Sequence, residues 1–92
     1  MKLEEKKHEM TRRVKQKLDE VNYRIFDIHS FFSENKLLRD LTRKSVIVTS
    51  FTETTLENTI SIISDPETLE MLYVRTGPTN FVDIEDFFHR EE

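Results

Sequence analysis

The feature that most constrains this chain is an apolar seam near its start. Val14, Leu18, Val21, Ile25, Ile28 and Phe32 are spaced 4, 3, 4, 3, 4. That is a heptad pattern, and it predicts one face of a long helix available for dimerisation. No Gly or Pro interrupts residues 1–40. Tyr23, Phe26 and Phe31 widen the apolar face towards its C-terminal end. A broader stripe of this kind fits a globular core or a wide dimer interface.

Beyond the seam, Ser33-Glu34-Asn35 reads as a break, with Ser33 the cap of a short second helix carrying Leu37, Leu38 and Leu41. Arg43 and Lys44 suit that helix's C-terminus, where cations meet unpaired carbonyls. Residues 45–51 are β-branched and aromatic and form the one clear strand. Residues 59–64 fit either strand or helix; helix is preferred because Leu56, Ile60 and Ile63 fall at helical spacing and Thr52 or Thr54 can cap it. Asp65-Pro66-Glu67 has the residues of a helix start, and Gly77-Pro78 those of its end. The expected fold is therefore α+β and mainly α: a long N-terminal amphipathic helix, one short strand region, then C-terminal helices and an acidic tail. The expected division is a dimerisation region over 1–51, with DNA binding as an added role, and an acidic partner-binding region over 52–92.

Charge divides along the same line. Residues 1–44 hold 12 Lys/Arg against 8 Asp/Glu, and residues 45–92 hold 2 against 10. The front half thus carries +4 and the back half −8, which points to two different electrostatic partners. Leu, Ile, Val and Phe number 28 of 92, enough for a packed core. The absence of Cys excludes disulfides and thiolate zinc sites. No run reaches the roughly 20 apolar residues of a membrane span, and the charged start lacks a secretory core, so a cytoplasmic location is expected.

No residue constellation for catalysis stands out. His8, His29 and His89 lack partners at metal-ligand spacing, a single Gly precludes a phosphate loop, and no cofactor is expected. Two binding features remain. Arg12, Arg13, Lys15 and Lys17 form a basic cluster suited to phosphate, though Glu9, Asp19 and Glu20 interleave with it. Phe81, Ile84, Phe87 and Phe88 alternate with Asp83, Glu85 and Asp86, a pattern suited either to a basic partner with apolar pockets or to capping the chain's own core.

Residues 46–88 resemble the back half of Phd/YefM-type antitoxins. The resemblance rests on the strand Val46-Ile47-Val48-Thr49-Ser50, on the run from Leu56 through Asp65-Pro66-Glu67, and on Leu69, Leu72 and the tail Phe81-Val82-Asp83-Ile84-Glu85-Asp86-Phe87. It implies a homodimer that binds operator DNA for autoregulation and neutralises a small basic toxin. Leu56, Ile60, Ile63, Leu69 and Leu72 would be the anchors of such a contact, with the tail residues filling pockets on the toxin. The front half departs from that family, so none of its DNA-binding residues carries over. Two other expectations compete: a helical dimeric adaptor, and a phage-type inhibitor that uses an acidic surface to mimic nucleic acid.

Overall fold

The computed structural model describes residues 1–89. One long helix, α1 (Leu3–Glu20), is followed by five strands: β1 (Ile25–Leu37), β2 (Arg43–Glu53), β3 (Thr59–Ser64), β4 (Met71–Arg75) and β5 (Phe81–Val82). A single helical turn, α2 (Ile84–Phe87), comes last. All neighbouring strands are antiparallel and lie in chain order, β1-β2-β3-β4-β5. The fold is a meander backed by a helix. Strand accounts for 42% and helix for 25%, so the chain is mainly β and the expectation of a mainly helical fold is overturned.

The heptad seam fails as a continuous helix for two physical reasons. The first is a stop at Asn22, which takes the left-handed conformation at φ 60. Tyr23 N–H donates to the Leu18 carbonyl at 2.9 Å and Asn22 N–H to that of Asp19 at 3.2 Å. That pair of bonds is a Schellman end, and Asn is among the few residues that tolerate its left-handed position. The second reason is a β-bulge. Phe26 pairs with Thr52 and His29 with Ser50, so β1 carries one extra residue, with Asp27 at φ 56. The bulge brings Ile25 and Ile28, three apart, onto one face, where Phe32 joins them by simple alternation. A bulged strand therefore imitates heptad spacing.

The other predicted helices also yield to sheet. Ser33–Leu37 continues β1 through a second bulge at Asn35 (φ 51), and Leu38–Thr42 is a turn rather than a helix. The predicted strand at 45–51 lies within β2. Residues 59–64 are β3, the alternative set aside above, with Ile60 opposite Phe51 and Ile62 opposite Thr49. Asp65 caps a turn instead of a helix: its Oδ1 accepts from Glu67 N–H at 2.7 Å and Thr68 N–H at 3.1 Å. Asp65 N–H then donates to the Glu70 carbonyl, closing the β3–β4 connection. Side chains of Asp that bond their own following amides compete with helix in this way.

The two sheet faces are built differently. Met10, Val14 and Leu18, one turn apart, are buried against Ile47, Phe51, Ile60, Ile62 and Val74. The hydroxyls of Thr11, Ser30 and Thr49 form a chain at 2.6 and 2.7 Å that ties α1 to β1 and β2. Buried polar groups at that seam are thereby satisfied. The opposite face holds a smaller cluster of Leu38, Val46, Val48, Ile63 and Tyr73.

Because Leu18 is fully buried in this intramolecular core, Leu18→Ala should lower the unfolding free energy by roughly 2–5 kcal/mol. Urea titration measures the loss. Light scattering on the same variant should show no change in mass. A fall in mass without a fall in stability would place Leu18 in an interface between chains instead.

Candidate functional site

The residues singled out from the sequence are distributed unevenly by the fold. Of the expected dimer seam, Val14 and Leu18 are buried, Val21 is the C-cap of α1, and Ile25, Ile28 and Phe32 lie on β1 facing the same core. Five of the six converge on one core, and they do so within one chain. Of the expected anchors, Ile60, Ile63 and Leu69 are buried and Leu72 packs on the smaller cluster. Leu56 stands apart on the β2–β3 turn, 72% exposed.

The acidic, aromatic tail splits between two roles. Phe87 is buried and stacks on Tyr23 at 5.1 Å. Phe88 packs edge-on against Phe87, with the Lys17 ammonium 5.1 Å above its ring. These two rings therefore belong to the chain's own core. Asp83 bonds Arg39 at 2.7 Å, whereas Glu85 and Asp86 are exposed.

The basic cluster of α1 is largely answered on its own helix. Arg12 and Arg13 share the Glu9 carboxylate at 2.7 and 2.8 Å, and Lys15 lies 3.9 Å from Asp19. The Arg12 and Arg13 hydrogen bonds hold the Glu9 carboxyl down at about 2. An external phosphate would have to displace these carboxylates.

Three surfaces remain open. The first is an acidic ledge. Glu70, Met71, Leu72, Asp83, Ile84 and Glu85 line a cleft of about 280 Å³ between β4 and α2. The β3–β4 turn adjoins it through Glu70. There Asp65 bonds Lys44 at 2.5 Å. The Lys44 ammonium is pushed up chiefly by that bond, with the fields of Asp65, Glu67 and Glu70 adding to it. Asp65 and Asp83 thus have cations of their own, while Glu67, Glu70, Glu85 and Asp86 are exposed.

The second surface is a groove of about 530 Å³ between α1 and β4. Arg13, Gln16, Lys17 and Glu20 form its rim above Leu69, Met71 and Ile84. The third is the sheet face turned away from α1. Strand register places Phe26, His29 and Phe31 of β1 there, with Ser50 of β2, Ser61 of β3, Arg75 of β4 and Phe81 of β5. No register-paired position on that face is Asp or Glu. The sequence reading missed this surface, because each strand contributes only every second residue to it.

Among the described residues, no group of three or more His, Cys, Asp or Glu is placed to hold a metal ion. No helix among them is long and apolar enough to cross a membrane. The geometry defines a helix-backed antiparallel meander with charged, partly apolar outer surfaces. No family model, no curated protein and no solved structure matches the chain.

The Lys44–Asp65 pair sets a pH dependence. Hydrogen bonds from Lys44 and from the Glu67 and Thr68 amides hold the Asp65 carboxyl at about 2, below its ordinary 3.8. A carboxyl lowered on folding stabilises the fold above its unfolded pKa, and the contribution fades as pH falls through the folded one. Wild-type stability should therefore drop between about pH 4 and pH 2, and Asp65→Asn should show a smaller drop over that window. Urea midpoints measured against pH for both chains test this; parallel acid limbs would refute it.

Proposed function

We propose that this chain is a non-catalytic interaction domain that captures a basic protein partner on its acidic ledge. The observation that carries the reading is the composition of the β4–α2 cleft. Met71, Leu72 and Ile84 offer apolar contact between the carboxylates of Glu70, Asp83 and Glu85. Exposed Glu67 and Asp86 extend the negative field around it. Such a field steers a cationic surface into contact, and the apolar centre supplies area to bury once water is expelled.

This is the chemistry of an antitoxin-like neutraliser, in a folded form. The contact would be made by a ledge of packed structure, and Phe87 would support it from the core. A small basic toxin-like protein is the partner class we favour, in a cytoplasmic setting. Homodimerisation and autoregulatory DNA binding belong to the same reading. If the chain dimerises, Val14 and Leu18 are already engaged inside the monomer and another surface must serve.

Co-expression with the product of an adjacent gene encoding a small basic protein supplies the direct test. The complex should co-purify, and Glu70→Lys with Glu85→Lys should raise its Kd roughly 10–100-fold, as for close interfacial charges. The wild-type affinity should also fall with added salt. A complex indifferent to both charge reversals would remove the ledge as the binding surface.

A further inference from the structure

The sheet face turned away from α1 has a chemistry of its own. Asp and Glu make up 18 of 92 residues, yet no register-paired position on this face carries one. Its strand cations are Lys36, Lys44 and Arg75. Of the carboxylates just beyond the strand ends, Asp65 and Asp83 are bonded to Lys44 and Arg39, and Glu70 lines the acidic ledge. Asp27 and Glu34 lie at the two bulges of β1, outside the paired register. Paired positions that carry cations and no carboxylate, in a chain of net charge −4, are suited to an anionic ligand.

The aromatic side chains say what kind. Phe31 is 43% exposed and stacks with His29, their ring centroids 5.9 Å apart. At the other end of the sheet Phe81 is 41% exposed and meets Tyr73 edge-on. Between them runs a polar row: Ser50 and Ser61, whose hydroxyls bond at 2.8 Å, then Arg75. Four strand spacings separate β1 from β5, roughly 19 Å at about 4.8 Å each. Beside Phe81, Lys36, Arg39 and Arg75 help to line a cavity of about 310 Å³.

We propose that this face binds single-stranded nucleic acid, with bases stacked on Phe31 and Phe81 and the intervening backbone lying along the Ser61–Arg75 row. Exposed rings accept the faces of unpaired bases, and cations between them answer the phosphates. A duplex hides its base faces within its own stack and so loses the aromatic part of the contact. A second copy of the chain is disfavoured as the occupant, because face-to-face packing would bring two sets of Lys36 and Arg75 together with no paired-position carboxylate to answer them. The site adjoins the acidic ledge at the Arg39–Asp83 ion pair but shares no lining residue with it, and it is independent of the α1 basic cluster.

Fluorescence anisotropy with labelled oligo-dT and oligo-U of about twelve nucleotides tests the proposal on the full chain. Single strands should bind at low salt, with a matched duplex at least about tenfold weaker. Phe31→Ala and Phe81→Ala should each weaken binding about tenfold. His29→Glu, at an exposed position, should weaken it without removing a Phe ring, which keeps the test open if a Phe variant misfolds by circular dichroism. About three phosphate contacts give an expected log–log salt slope near −2. Arg12→Glu should change little, and the Glu70→Lys, Glu85→Lys chain should still bind, so loss of the ledge's partner and loss of the oligonucleotide are separable. No single-strand binding at low salt, equal binding of duplex, or loss caused by Arg12→Glu alone would each overturn the assignment. Self-association abolished by Phe31→Ala, with no oligonucleotide bound, would overturn it too and mark the face as a dimer interface.

Discussion

The seating of α1 on the sheet is the contact on which the rest of the molecule depends. Met10, Val14 and Leu18 present one narrow stripe, and the sheet meets it with Ile47, Phe51, Ile60, Ile62 and Val74. β1 and β2 are long, but the meander tapers to the two-residue β5, and its apolar face needs something packed on it to be stable. With α1 in place, one face becomes core. The Thr11–Ser30–Thr49 hydroxyl chain then sets where the helix lies relative to β1 and β2. The tail follows, since Phe87 is buried against Tyr23, just beyond the end of that helix. What remains outside is what can bind: the ledge beside α2, the groove along α1, and the sheet face that the helix leaves uncovered.

Local chemistry was legible in the sequence where one element decided it. The strand at 45–51 declared itself through β-branched residues, and Val14 and Leu18 declared a helical stripe. Asp65-Pro66 marks a punctuation point in the sequence, but its residues suit a helix start and a turn alike. The Asp65 side chain can bond the next amides in a helix or in a turn, and only pairing of β3 with β4 selects the turn. The larger error, the heptad through Phe32, shows how periodicity misleads. A bulge shifts a strand's alternation by one, so a spacing of three can arise in a sheet as well as in a helix. The signals that separated the two were Asn22 and Asp27, both residue types at home at positive φ, inside an otherwise unbroken apolar pattern.

Charge was legible as a total but not as a surface. The basic front half and acidic back half are knit into one sheet, because β1 of the front pairs along its length with β2, most of which belongs to the back. Folding sorts the charges by face instead. Most of the α1 cations find carboxylates or a ring within their own chain. Several carboxylates of the back half gather along the ledge, and no register-paired position on the far sheet face carries one. A binding surface assembled from alternate residues of five strands leaves no contiguous motif, which is why composition suggested two partners without locating either.

The single glycine has a further consequence. A chain of many turns with one Gly must place other residues in the left-handed region, and six non-glycine residues among those described occupy it. Asn22, Asp27 and Asn35 do so at small cost. Leu41, Glu57 and Leu69 do not, since each such residue costs on the order of 1–2 kcal/mol. For Leu69 the cost is offset by burial in the main core. Leu41 has no comparable offset: at φ 69 it is 79% exposed, beside Leu37 and Phe81 at the groove on the far face. The strain is held by the rest of the 38–42 turn, where Leu38 is buried in the smaller cluster and its N–H donates to the Thr42 carbonyl at 2.8 Å. Anchored by Leu38, the turn presents Leu41 beside exposed Leu37 and Phe81, and these apolar side chains mark the far face as a contact surface alongside its carboxylate-free paired positions.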